Sequence, residues 1–128
     1  MKAADDGAHV LLLQEAHLAE HMDIRPANVI ARQGHPLALV DWDNALLGPA
    51  ALELARIAEY GHLNEEFMRG YKRIWECAPV SKAGETVYRM DTAVMLAVVF
   101  VSEAPDPVRG RWQLEHALSL SKQLRQQW

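Results

Sequence analysis

Residues 21–41 read HMDIRPANVIARQGHPLALVD, and the reading of this stretch decides the fold. A short polar loop ends in Asn28, two apolar-rich strands follow at Val29–Arg32 and Leu37–Val40, and the second strand delivers Asp41. Gly34 and Pro36 mark the turn QGHP between them. Antiparallel pairing across that four-residue turn sets Arg32 opposite Leu37 and, at the other end, Asn28 opposite Asp41. Asp23 lies five residues before Asn28 on the entering loop. Two oxygen donors at the mouth of one hairpin, with a further carboxylate beside them, predict a hard-cation site next to a general base.

Upstream, Ala8–Ala19 (AHVLLLQEAHLA) carries apolar residues on most faces and no breaker, which predicts a largely buried helix starting near Asp5, Asp6 or Gly7. Pro26 prevents helix from running through the loop and biases Arg25 toward extended backbone. Downstream, Asp41–Gly48 reads as loop, and Pro49 opens a helix running to about Tyr60 with Gly61 as its stop. Asn64 caps a helix over Glu65–Cys77, which Pro79 ends. Gly84 or Glu85 to Ser102 is the most apolar helix and is expected to be central. Pro105 and Pro107 break the chain before an amphipathic helix at Val108–Gln126. The expected fold class is α+β, mostly α-helical, with one small hairpin among about five helices. It divides into a loop at 21–28, a hairpin at 29–40, a second loop at 41–48 and a helical remainder at 49–128.

The length of 128 residues suits one domain with a single core. Half of the residues are apolar and 23% charged, an ordinary globular balance. A net charge of −4 without a Lys/Arg run argues against a nucleic-acid partner. Cys77 is the only cysteine, so no internal disulfide can form, which fits a cytoplasmic location. Thr92–Val101 is about half the length of a membrane span, and the N-terminal MKAADDGAHV is too polar for a signal peptide. Neither a membrane nor a nucleic acid is expected as partner.

His21-x-Asp23-x-x-x-x-Asn28 resembles the catalytic loop H-x-D-x-x-x-x-N of protein-kinase-like enzymes, and Asp41-Trp42-Asp43 resembles the metal-binding Asp that follows it. The combination is similar to the aminoglycoside phosphotransferase and choline kinase group. Its loop usually reads H-G-D-L-H-P-G-N, followed by a hairpin, I-D-W-E and G-D-P-x-x-D-L-A. In this chain the last motif is represented by Leu47-Gly48-Pro49 and Glu53-Leu54-Ala55. The likeness in specific motifs covers about Val10 to Gly61.

The resemblance implies a kinase-like C-terminal lobe and assigns roles. Asp23 would be the catalytic base and Arg25 a cation facing the transferred phosphate. Asn28 and Asp41 would hold Mg²⁺ and, through it, ATP or GTP, with Ile30 as the apolar floor beneath the base. His21 would fix the loop, Asp43 would support the metal ligand or touch substrate, and Glu53 would anchor the loop from the next helix, one methylene longer than the usual Asp. Met22 and Ala27 replace glycines of the usual loop, a departure that matters wherever φ must be positive. Taken singly, each of these residues also has a plain structural reading, as turn, cap, strand packing or solvated loop; their spacing is what favours chemistry. The acceptor implied is a small-molecule hydroxyl, aminoglycoside-like or on an amino alcohol, and Glu59, Glu65 and Glu66 could meet a cationic one. Only twenty residues precede His21, too few for a glycine loop and a strand lysine. The chain is therefore expected to lack the N-terminal nucleotide-binding lobe, to be inactive alone and to be prone to self-association.

Two other readings compete. His17-x-x-Glu20-His21 matches the H-x-x-E-H zinc-peptidase pattern, which needs a helix carrying both histidines on one face. A non-catalytic interaction module from a truncated kinase-like protein is the other.

Overall fold

The computed structural model describes residues 17–76 and 79–127. These fall into two compact units, one on each side of residue 78.

The first unit opens with strand β1, His17–Glu20. Loop residues and a single 3₁₀ turn at Pro26–Asn28 follow, then β2 (Val29–Arg32) and β3 (His35–Leu39). Strand β4 (Leu46–Pro49) runs straight into helix α1 (Ala50–Glu59), and α2 (Glu65–Tyr71) follows. β1 pairs antiparallel with β4, and β2 with β3, as two separate two-stranded sheets.

Three sequence expectations change. The predicted helix over Ala8–Ala19 is contradicted at its end, because residues 17–20 form a strand laddered against Leu46–Pro49; the remainder lies outside the described residues. A short apolar run fits either state, and a partner strand decides it. The same ladder places β4 inside what reads as a loop at 41–48. The hairpin register also shifts. Arg32 faces His35 rather than Leu37, and Val29 faces Leu39. The turn is only Gln33-Gly34, at φ 51° and 79°, the left-handed pair that a two-residue hairpin loop requires. Pro36 has no N–H for the ladder, and a bulge falls between Ile30 and Ala31, the latter facing Pro36.

Pro49 caps α1 in extended backbone, and Gly61 at φ 78° ends it, with the His62 N–H on the Ile57 carbonyl at 3.1 Å. Asn64 caps α2 by accepting from the Phe67 N–H at 2.8 Å. That helix ends at Tyr71 rather than Cys77, just after Gly70, which weakens a helix interior; Cys77 itself lies outside the described residues.

The second unit is a helix pair. α3 (Lys82–Val98) is capped by Ser81, whose hydroxyl accepts from the Gly84 N–H at 3.0 Å, and passes into one π-helical turn at Val99–Glu103. α4 (Pro107–Gln127) starts with Asp106 accepting from the Arg109 N–H at 3.0 Å and Pro107 in its first turn. Ala93, Ala117 and Leu120 form the buried seam, with Met90 against it. Among the described residues no helix is long and apolar enough to cross a membrane.

Candidate active site

α1 holds the loop after β1 by its backbone. The Glu53 carboxylate accepts from the His21 N–H through Oε2 at 3.1 Å and from the Met22 N–H through Oε1 at 2.7 Å. One turn on, Arg56 Nη1 donates to the Met22 carbonyl at 3.1 Å. Both polar groups of the Met22 backbone are thus fixed by one helix. Met22 sits at φ 67°, a conformation that costs a non-glycine residue about 1–2 kcal/mol. Two hydrogen bonds to a charged acceptor, each worth roughly 1.5–3 kcal/mol, outweigh that cost. Met22 is therefore the one of the two glycine replacements that meets a left-handed backbone; Ala27 does not. The extra methylene of Glu53 does not prevent its reaching both amides.

His21 is 1% exposed and both ring nitrogens are used. Nδ1 accepts from the Asp23 N–H at 3.2 Å, so the ring proton sits on Nε2, which donates to the Val40 carbonyl at 2.9 Å. The indole of Trp42 packs edge-on against the imidazole, ring centres 4.5 Å apart. Val40 is held from the other side by its own N–H on the Asn28 carbonyl at 2.9 Å, so Asn28 comes opposite Val40 and not Asp41. Asp41 follows at φ 65°, a left-handed conformation that Asp tolerates better than most, and its side chain is exposed.

The Asn28 amide nitrogen donates to the Asp23 carbonyl at 2.9 Å and to Asp23 Oδ2 at 2.7 Å. Arg25 Nε donates to the same Oδ2 at 3.2 Å. Tyr60, from the end of α1, brings its phenol to the Asp23 carboxyl; burial first, and then the Asp23 charge and hydrogen bond, push the phenol up to about 12. Asp23, Arg25, Asn28 and Tyr60 thus converge. Ile30 lies half-exposed on β2, and Asp43 is exposed in the turn after Trp42.

The donor set suits magnesium. With its amide nitrogen spent on Asp23, Asn28 offers the carbonyl Oδ1, and Asp41 offers a carboxylate at the end of the neighbouring strand. A hard cation bound by one carboxylate and one amide oxygen takes its other ligands from phosphate and water. Among the described residues no three His, Cys, Asp or Glu side chains group as metal ligands. The zinc pattern lacks the helical face it requires, since His17–Glu20 is a strand and both nitrogens of His21 are engaged.

Two residues of this site are absent from the sequence reading in these roles. Glu20, 6% exposed, lies against Glu53 with a hydrogen bond between the two carboxyl groups. Tyr60 reads only as a helix end. A glutamate beside an apolar run and a tyrosine just before a stop glycine were the available signals.

Residues 4–89 match the phosphotransferase enzyme family (APH). No curated protein and no solved structure matches the chain.

Proposed function

The chain belongs to the phosphotransferase enzyme family, and from that premise we propose that it carries the catalytic loop and metal ligands of a kinase-like enzyme. The reaction moves the γ-phosphoryl group of ATP or GTP to a hydroxyl of a small molecule, aminoglycoside-like or an amino alcohol. The observation that carries the reading is the division of labour between Asp23 and Asn28. The Asn28 amide nitrogen grips Asp23 Oδ2, which orients the carboxylate and leaves the Asn28 carbonyl oxygen for a cation.

Asp23 accepts the proton of the acceptor hydroxyl while that oxygen bonds to the γ-phosphorus; the bond to the β–γ bridging oxygen breaks, and the electron pair leaves on the nucleoside diphosphate. Asn28 Oδ1 and the Asp41 carboxylate would hold magnesium, which when bound would neutralise charge on the phosphate oxygens. Arg25 keeps Nε on Asp23 and has four N–H donors left for the phosphate. His21 fixes Val40 and thereby the strand end that presents Asp41.

The test is a contrast between two isosteric variants of the active protein. Asp23→Asn removes the proton acceptor, so turnover should fall roughly 10²–10⁴-fold with nucleotide affinity nearly unchanged. Asp41→Asn turns a charged ligand into a neutral amide and should weaken magnesium–nucleotide binding instead. Equal losses of metal affinity in both variants would overturn the division of roles.

A further inference from the structure

The catalytic loop rests on a pair of buried carboxyl groups rather than on one. Glu20 is the last residue of β1, 6% exposed, directly before the two residues whose N–H groups Glu53 accepts. Glu53 is itself 9% exposed and spends one oxygen on each amide. Two carboxylates in hydrogen-bond contact, both out of water, cannot both stay ionised; one keeps a proton and donates it to the other. The bonding decides which. Glu53 already accepts from two backbone N–H groups, so the bond between the carboxyls runs from Glu20 to Glu53.

The groups around the pair sharpen the assignment. From α1, Arg56 donates to the Met22 carbonyl at 3.1 Å. On the loop, the His21 ring has both nitrogens engaged elsewhere. From β4, Leu46 stands opposite Glu20 in the ladder, and Leu46–Pro49 carries no titratable side chain.

We propose that Glu20 is a positioning residue for the catalytic loop: as a neutral acid it donates to Glu53 and holds that carboxylate on the His21 and Met22 amides, and losing its proton drives the two carboxylates apart and loosens the loop. The geometry finds support in the acidity of the group. Burial first, then the hydrogen bond and charge of Glu53, push Glu20 up from 4.5 to about 8. The loop is accordingly locked at neutral and mildly acid pH and released in mild alkali. The structural part of this inference stands on the carboxyl pair alone; its consequence for phosphoryl transfer rests on the function proposed above.

The sign of the linkage is fixed. An acid whose folded value is raised contributes stability that is fully present below its unfolded value and is lost as pH rises through the folded one. For Glu20 the loss runs from about pH 4.5 to about 8. The experiment is an NMR titration of the ¹⁵N-labelled chain, following the Met22 and His21 amides between pH 5 and 9.5. Both amides are expected to shift together with a midpoint near 8 and to lose protection from exchange above it, several-fold per pH step beyond the intrinsic rate. In Glu20→Gln, whose amide donates to Glu53 at every pH, the midpoint should vanish and protection persist through pH 9.5. A flat wild-type titration, or the same midpoint retained in Glu20→Gln, overturns the proposal, and the wild-type curve alone is decisive should the variant fail to fold. In the active enzyme the alkaline limb of the rate profile should move up or disappear in Glu20→Gln. Absence of phosphoryl transfer altogether would count against the functional reading, while the amide titration still decides the carboxyl pair.

Discussion

The loop unit and the helix pair bury different things. Around the loop the buried set includes Glu20, His21, Asp23, Asn28 and Glu53, and the bonds that satisfy it reach far along the chain, from His21 to Val40, from His21 and Met22 to Glu53, and from Arg56 back to Met22. In the helix pair the buried seam is small or apolar, and the buried threonines each bond a carbonyl of their own helix, Thr86 reaching Gln127 as well. Thr86 donates to the Lys82 carbonyl at 2.8 Å and Thr92 to the Tyr88 carbonyl at 3.3 Å. The first arrangement fixes directions and the second fixes a distance of approach. The loop carries the desolvation cost of five buried polar side chains, and on the function proposed above a proton acceptor and a metal ligand would need the directions they fix.

Cutting the clamp is the strongest way to break this contrast. Glu53→Ala leaves the His21 and Met22 N–H groups buried without acceptors, at roughly 1–3 kcal/mol each, and removes the restraint on the left-handed Met22. Urea unfolding should show the loss, and amide exchange should show it concentrated at residues 20–23 while amides of α3 keep their protection. Loss spread evenly over both units would mean that the clamp is ordinary packing.

The reverse variant loads the seam. Ala93 is fully buried where α3 meets Ala117 and Leu120. Ala93→Leu adds three carbons to a close approach and should cost roughly 1–3 kcal/mol by overpacking. The expected signature is lost protection in α3 and α4, with Met22 unchanged. Tolerance of leucine without loss of stability would show that the seam is loose and the contrast overstated.

The two regions were also unequally legible in sequence. Local signals came through: Asn64 caps the helix it precedes, Pro49 and Gly61 bracket α1, and Asp23, Arg25 and Asn28 of the loop motif meet in space. α3 starts at Lys82, two residues before the predicted Gly84 boundary, because the Ser81 hydroxyl and not the glycine sets the end. Whatever depends on a distant partner was hidden. β1 is a strand only because β4 exists some thirty residues later, and each alone is too short to declare itself. The hairpin register turned on Pro36, which reads as part of a turn but sits within β3 behind a bulge. Glu20 and Tyr60 gain their roles from α1 closing on the loop, a contact that no local pattern encodes.

The smallest expected effect tests the far edge of the polar network. Tyr60 leaves α1 with its phenol on the Asp23 carboxyl, and burial together with the Asp23 charge raises it from 10.0 to about 12. A raised acid lends stability that is complete below its unfolded value and disappears as pH climbs through the folded one, so the window for Tyr60 runs from about pH 10 to about 12. This lies clear of the Glu20 window. Tyr60→Phe deletes the donor and little else. At neutral pH it should cost about 1 kcal/mol, the usual net worth of one hydrogen bond, because Asp23 keeps Asn28 and Arg25 as donors. Above pH 10 the ionising phenol would oppose the Asp23 charge, and the advantage of wild type over Tyr60→Phe in urea unfolding should shrink toward zero by pH 12. Comparing the two proteins cancels the titration of every other group. An advantage that stays constant across that range would place the phenol outside the network, and the Asp23 carboxylate would then be oriented by Asn28 and Arg25 alone.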